Sequence, residues 1–435
     1  MTRLSKCVCL AIVSATLAAA LTAADNRKIY VIRDAKVHTM GPAGTLPRAT
    51  IIIINNKIAG VGPNVKALSI GSSYPIIDGR GLEVYPGLIN AWSNIGLTEI
   101  SAVPATNDST EMGDFNPHLL AFSAVHPASE HIPVARVNGI TTSLSVPSGG
   151  IISGQAALLH LDGWTTDEMA ILKSAGMVIN FPSLTGRGGR GGGSAQGSRR
   201  EPFSETKKTY EKRLKELSDL MEAARHYEKA RSANPSAPRD RRLDALVPVV
   251  QGQRPVFLRA DSARDIRNAV EFAKKEKLKV IIQGGNEANK VADLLKKENV
   301  PVILDSIVQL PAREDDPYDA PFTLPRDLAK AGVRFALTSP GSADIRNLTY
   351  EAGFAEAYGL AHEDALRAIT ASPAEILGVA DRIGTIEAGK IADLVITDGD
   401  ILEPRTQVKQ VFIAGKSVGL ESKHTRLYQK YLARP

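Results

Sequence analysis

Hydrophobic positions in this chain follow two different periods. From Lys28 to about Pro63, and again from Ala392 to Val418, they alternate or form short apolar blocks, which predicts strands. Ile29 to Met40 reads as one strand. Thr50 to Gly62 reads as a hairpin, because Asn55-Asn56 separates Ile51–Ile54 from Ile58–Val61 and asparagine tolerates the positive φ of tight hairpin turns. Ala392–Thr397 and Val411–Val418 repeat the theme, so one small β-domain is expected to draw strands from both ends of the chain.

Between these regions, short apolar runs alternate with helical patterns, as a barrel of strands and helices requires. The candidate strands are Leu88–Ala91, Ile140–Val146, Ala156–Leu161, Met177–Phe181, Val256–Ala260, Val280–Gln283, Val302–Leu304 and Val333–Leu337. The clearest helices are Ser262–Glu276, Glu287–Glu298 and Glu363–Thr370. The expected fold is α/β: a (β/α)8 TIM barrel over residues 86–384, with a composite β-domain from residues 25–85 and 385–435.

Gly186 to Ser198 interrupts the rhythm with a Gly/Arg-rich tract, and a charged helical pattern from about Glu205 to Ala230 follows. Tyr210, Leu214, Leu217, Met221 and Ala224 recur at helical spacing and predict its buried stripe. Residues 186–242 read as an insertion over one barrel face. The tract has three readings: flexible linker, anion-binding loop or RNA-binding segment. Linker is preferred, because low-complexity glycine needs no partner to explain it.

A length of 435 residues accommodates one large barrel plus a smaller domain, and 43% hydrophobic with 23% charged residues is ordinary for a globular protein. Arg3 and Lys6 precede an apolar run from Cys7 to about Leu21 that ends in Thr22, Ala23 and Ala24, which reads as a signal peptide over residues 1–24. The run is short for a membrane span. A periplasmic or secreted location follows, with no membrane attachment after cleavage. Cys7 and Cys9 both lie within that peptide, so the mature chain would hold no thiol to serve as ligand, nucleophile or disulfide partner. Removing Arg3 and Lys6 leaves 51 basic against 47 acidic side chains, too balanced to imply nucleic acid.

Val84 to Gly96 resembles the segment that opens a metal-dependent amidohydrolase barrel. In that superfamily the first strand ends Pro-Gly-hydrophobic-Ile-Asp-x-His-x-His, and the two histidines hold a divalent metal from one side of the strand. Here Trp92 and Asn94 take the histidine positions, and Asn90 that of the aspartate. An indole offers only an N–H donor, and an amide oxygen is a poor zinc ligand. Ala365 to Gly378 and Gly384 to Val395 carry a second resemblance, to the imidazolonepropionase-like branch with its dipeptidase and prolidase relatives. Within these segments Ser372-Pro373 suits a helix N-cap followed by proline, and Gly378 a helix stop. The resemblance spans most of the mature chain outside the insertion.

It also implies further ligands, and these are replaced too. Arg259 stands where a histidine closes one strand, Gln283 where a second histidine is expected, and Pro340 where the family places its aspartate, the nearest acid being Asp344. Family activity would be hydrolysis of non-peptide C–N or dipeptide bonds with zinc or another divalent metal. Five non-ligands argue against that cofactor, since a zinc hydrolase needs three protein ligands and an open position for water.

Other constellations do not replace the site. His126 and His131 flank Glu130, but their spacing across Pro127 suits a turn, and a structural role is preferred; His160 and His226 read the same way. Ser143, Ser145, Ser148, Ser153 and Ser339 are available hydroxyls without a Gly-x-Ser-x-Gly elbow. The loop Val146 to Gln155 either shapes a pocket or simply connects strands. Two functional classes stand. One is a non-catalytic barrel binding a small molecule, a second copy of itself or an active relative; the other is a hydrolase working from a non-standard site. Trp92, Asn94, Arg259, Asp261 and Gln283 are the candidate ligand-binding residues, Arg259 being suited to an anionic group because its fork matches carboxylates. Arg259 paired internally, filling the metal position, is the competing reading.

Overall fold

The computed structural model describes residues 28–65, 74–184 and 202–434. The expected signal peptide and the Gly/Arg tract lie outside the described residues. The chain begins with β1 (Ile29–His38), β2 (Thr45–Ile54), β3 (Lys57–Gly62), β4 (Ile76–Asp78) and β5 (Glu83–Pro86). The barrel follows as β6 (Leu88–Ser93), β7 (Ile140–Ser145), β8 (Ile152–His160), β9 (Ala170–Asn180), α1 (Phe203–Ala233), α2 (Arg241–Val250), β10 (Val256–Ala260), α3 (Ala263–Lys275), β11 (Val280–Gly284), β12 (Val302–Leu304), β13 (Phe335–Ala336), α4 (Leu348–Ala357) and α5 (Ala371–Ile376). Strands β14 (Leu394–Thr397), β15 (Val408–Ile413) and β16 (Lys416–Val418) and helix α6 (Lys423–Leu432) complete it.

The two ends of the chain do build one sheet, in the order β16-β15-β14-β5-β1-β2-β3, with β4 alongside β1. Its seam is the antiparallel pair of β5 and β14, in which Val84 faces Ile396 and Tyr85 faces Val395. The Asn55-Asn56 turn forms as the sequence predicts, with Asn55 at φ 57°.

The second sheet runs β13-β12-β11-β10-β9-β8-β7-β6 and curls into a nearly closed barrel. Closure between β6 and the end of β13 comes from the main chain of Ala368 and Ile369, which accepts from Leu337 N at 3.0 Å and Ile89 N at 2.8 Å. Successive residues face opposite sides of the wall. Ile89, Leu144, Ala156, Val178, Phe257, Ile281, Ile303 and Ala336 fill the lumen. Leu88, Ile140, Ile179, Leu258, Ile282, Val302 and Phe335 face outward into the layer packed by the helices.

Two features depart from the pattern read in the sequence. Strand β8 is antiparallel to both β7 and β9, so a hairpin stands where a parallel strand and its helix were expected. Its alternation carries no sign of direction. The segment read as an insertion, residues 186–242, supplies α1 and the first residues of α2, and these two helices form the crossover from β9 to its parallel neighbour β10. Leu217, Met221 and Ala224 are buried in the main core as the stripe predicts. Ser372 does not cap α5, which starts at Ala371 behind Thr370, although Gly378 at φ 72° does end that region.

The β-domain and barrel meet at Gly87, where a Cβ would lie 2.2 Å from Thr141 Oγ1, so only glycine fits between β5 and β6. Beside it, buried His160 at the end of β8 pairs through Nε2 with Asp393 Oδ2 at 3.0 Å. The other carboxylate oxygen of Asp393 accepts from Ala414 N at 2.8 Å.

Candidate functional site

Strand β6 contributes the first candidate residues, and its register decides where they point. The pairing with β7 slips between Asn90 and Ser93. Ala91 and Trp92 consequently both enter the lumen cluster, and the Trp92 ring packs edge-on against Phe257 with centroids 5.5 Å apart. Asn94 is not beside it. Its Oδ1 accepts from Ser342 N at 2.7 Å, and its own N–H donates to the Pro340 carbonyl at 3.3 Å. Asn90 bonds the Ser339 main chain in both directions, at 2.9 and 3.0 Å. The two asparagines thus stitch the end of β6 to the chain after β13.

Across the lumen, Arg259 and Gln283 stand in register on neighbouring parallel strands. Arg259 Nε donates to Gln283 Oε1 at 2.7 Å. Gln283 is 1% exposed, and its Nε2 has no hydrogen-bond partner among the described residues. Arg259 is partly exposed and donates to protein through Nε alone among the described residues.

One layer further out, Asp261 leans over Gly284: a Cβ on that glycine would lie 2.4 Å from Asp261 Oδ1, and Gly284 adopts φ 97°. Crowding by the surrounding protein, then the like charge of Asp305, push the Asp261 carboxyl up to about 6 against the pull of Arg259. Asp305 follows β12 on the lumen-facing phase of Ile303.

Behind Asp305, Glu351 of α4 is 3% exposed and accepts from Ser306 Oγ at 2.6 Å, Ile307 N at 2.8 Å and Val308 N at 3.2 Å. Burial pushes this carboxyl up to about 7, with Asp305 adding to the rise and the hydrogen bonds opposing it. Neither Asp305 nor Glu351 was singled out in the sequence. Asp305 was within reach, since Val302-Ile303-Leu304-Asp305 places it at a strand end in the lumen phase; Glu351, on a helix among apolar residues, gave no such signal.

The donor set does not suit a divalent metal. Trp92 and Arg259 bring only N–H groups, and the side-chain oxygens of Asn94 and Gln283 are already accepting. Among the described residues no group of three or more His, Cys, Asp or Glu is placed to hold a metal ion. His126 is exposed, and His131 is buried with Nε2 donating to the Glu99 carbonyl at 2.9 Å.

The hydroxyls are likewise engaged. Ser93 Oγ and Ser143 Oγ lie 2.9 Å apart, Ser145 donates to the Ile95 carbonyl, Ser153 to Gly149 and Ser339 to Asp344. The Val146 to Gln155 loop joins antiparallel strands, and Asn180 Nδ2 holds it through the Gly150 carbonyl at 2.8 Å.

A model of the amidohydrolase family matches residues 322–418. "Amidohydrolase tasK" of Hapsidospora irregularis is 23% identical over 386 residues, which is 84% of this chain but 39% of that protein, so the chain spans well under half of that relative. An amidohydrolase from Thermotoga maritima MSB8 superposes with a TM-score of 0.77 at 24% identity, covering 90% of this chain and 99% of that one. A prolidase solved with N-methylphosphonate-L-proline superposes at 0.55 with 18% identity over 90% of this chain and 99% of its own. The structural likenesses bear on the fold.

Proposed function

Since the chain belongs to the amidohydrolase superfamily, we propose that it is a barrel without the family's metal centre, one that binds a small molecule or a partner subunit instead of hydrolysing C–N bonds. The single observation carrying this reading is the Arg259–Gln283 pair, Nε to Oε1 at 2.7 Å, at the strand ends where the family is expected to place histidines. A guanidinium there repels a cation and has no lone pair to offer one. Trp92 supports the same reading by packing its ring on Phe257 in the lumen. Its export to the periplasm or beyond belongs to the proposal on sequence grounds alone, from the apolar run Cys7–Leu21.

The test is elemental analysis of protein purified from cells grown with added zinc, beside assays with dipeptides and N-acylated amino acids. The expected result is far less than one metal per chain and no hydrolysis that chelators abolish. Stoichiometric metal lost together with hydrolase activity would overturn the reading.

One observation favours a second reading. Asp261, held up to about 6 beside Asp305, is a carboxyl that could exchange a proton near neutral pH, as a metal-free acid–base hydrolase needs. In that case turnover survives chelation and collapses in Asp261→Asn.

A further inference from the structure

Three observations at the barrel mouth point to one class of ligand. The first is an incomplete polar pair: Gln283 is 1% exposed with Nε2 unpartnered, although its Oε1 accepts from Arg259. A buried donor left unpaired costs about 1–3 kcal/mol, so the pair is short of an acceptor. The second is Arg259 itself, which is partly exposed and tethered to protein only through Nε among the described residues. Its Nη1 and Nη2 donate to no protein group among the described residues, so they can meet an arriving oxygen while Nε keeps its bond to Gln283.

The third is the charge of the layer above. Arg259 and Gln283 face each other in register, and the next lumen-phase positions outward on the two flanking chains are Asp261 and Asp305. Two residues along a strand amount to about 6–7 Å. A cationic floor therefore lies beneath an acidic rim.

We propose that the mouth binds a small carboxylic acid that also carries a protonated amine. Its carboxylate lies on the Arg259 guanidinium and the Gln283 Nε2 amide, and its ammonium group faces Asp261 and Asp305. The planar fork of arginine matches a carboxylate, and the amide donor completes the acceptor's coordination. A phosphate dianion is disfavoured because the acidic rim repels its second charge. No bond is made or broken in this binding step. The assignment rests on the metal-free reading above, since a metal at the same strand ends would occupy the carboxylate position.

Calorimetric titration of the mature chain tests it, using free L-amino acids, their carboxamides, their N-acetyl derivatives and inorganic phosphate as probes. Free amino acids should bind, and amidation should weaken binding by at least about tenfold, as should Arg259→Gln. N-acetylation should weaken it too, and that penalty should shrink in Asp261→Asn. If Arg259→Gln fails to fold by circular dichroism, Arg259→Lys keeps the charge, removes the fork and serves in its place. Binding that ignores amidation or the Arg259 substitution, phosphate binding as well as the amino acids, or no amino acid binding at millimolar concentration each overturns the proposal. Metal analysis on the same sample separates the two readings. A metal-free protein indifferent to carboxylates sinks this inference alone, whereas stoichiometric metal sinks the parent reading.

Discussion

At the scale of single residues, Glu351 shows how a buried acid can sit beside the mouth and shape stability. Its carboxyl titrates near the ordinary 4.5 in an unfolded chain and near 7 in the fold, so between those values the folded state holds more protons. Stability is therefore complete below about 4.5 and falls as pH rises toward 7, by roughly 3 kcal/mol at most. Glu351→Gln imitates the protonated acid: its oxygen can accept from Ile307 N and Val308 N while its amide donates to Ser306 Oγ. The variant should match the wild type at pH 5 and exceed it at pH 8 in urea unfolding. Equal pH dependence in the two proteins would show that Glu351 is not the group responsible. The same scale marks the limit of the sequence. Arg259 and Gln283 were legible as strand-end residues through the family resemblance, and the structure adds that they share one register layer; the position of Asn94 was not legible, because the slip between Asn90 and Ser93 leaves no trace in composition.

At the scale of elements, the eight candidate strands all appear, because each is a short apolar run bounded by turns or helices. Direction is what periodicity does not encode, and β8 runs the other way. For α1 the helical period was enough to find the buried stripe, but not the role of the helix in the crossover to β10. That role makes a prediction about its docking. Leu217 is buried against the main core, and Arg225 fastens the helix to α3's end by donating Nη1 to Glu276 Oε2 at 2.9 Å and Nη2 to its carbonyl at 2.6 Å. Leu217→Ala should cost about 2–5 kcal/mol in chemical denaturation, as buried leucines do. Lys215→Ala, on the exposed side of the same turn, should stay within about 0.5 kcal/mol. Similar small losses from both would mean that α1 is appended to the barrel rather than part of its wall.

At the scale of the whole molecule, the β-domain is joined to the barrel by more than the chain. Gly87 N–H donates to the Asp393 carbonyl at 2.8 Å, and the Asp393 side chain holds both His160 of the barrel and Ala414 of the β-domain. All three contacts converge where β5 hands over to β6. Asp393→Ala strands a buried imidazole and a buried backbone N–H, at about 1–3 kcal/mol each. If the two parts fold as one cooperative unit, calorimetry of this variant should give a single endotherm at a lower temperature, carrying the barrel down with the sheet. His160→Phe should blunt the effect of adding Asp393→Ala, because the two residues share one interaction and their costs do not add. Two separated endotherms, the barrel's unchanged, would instead make the β-domain an independent cap whose loss leaves the mouth intact. The distinction reaches the binding proposal. With cooperative folding, ligand held by Arg259 at the mouth raises the melting temperature of the entire molecule, the sheet at the opposite joint included.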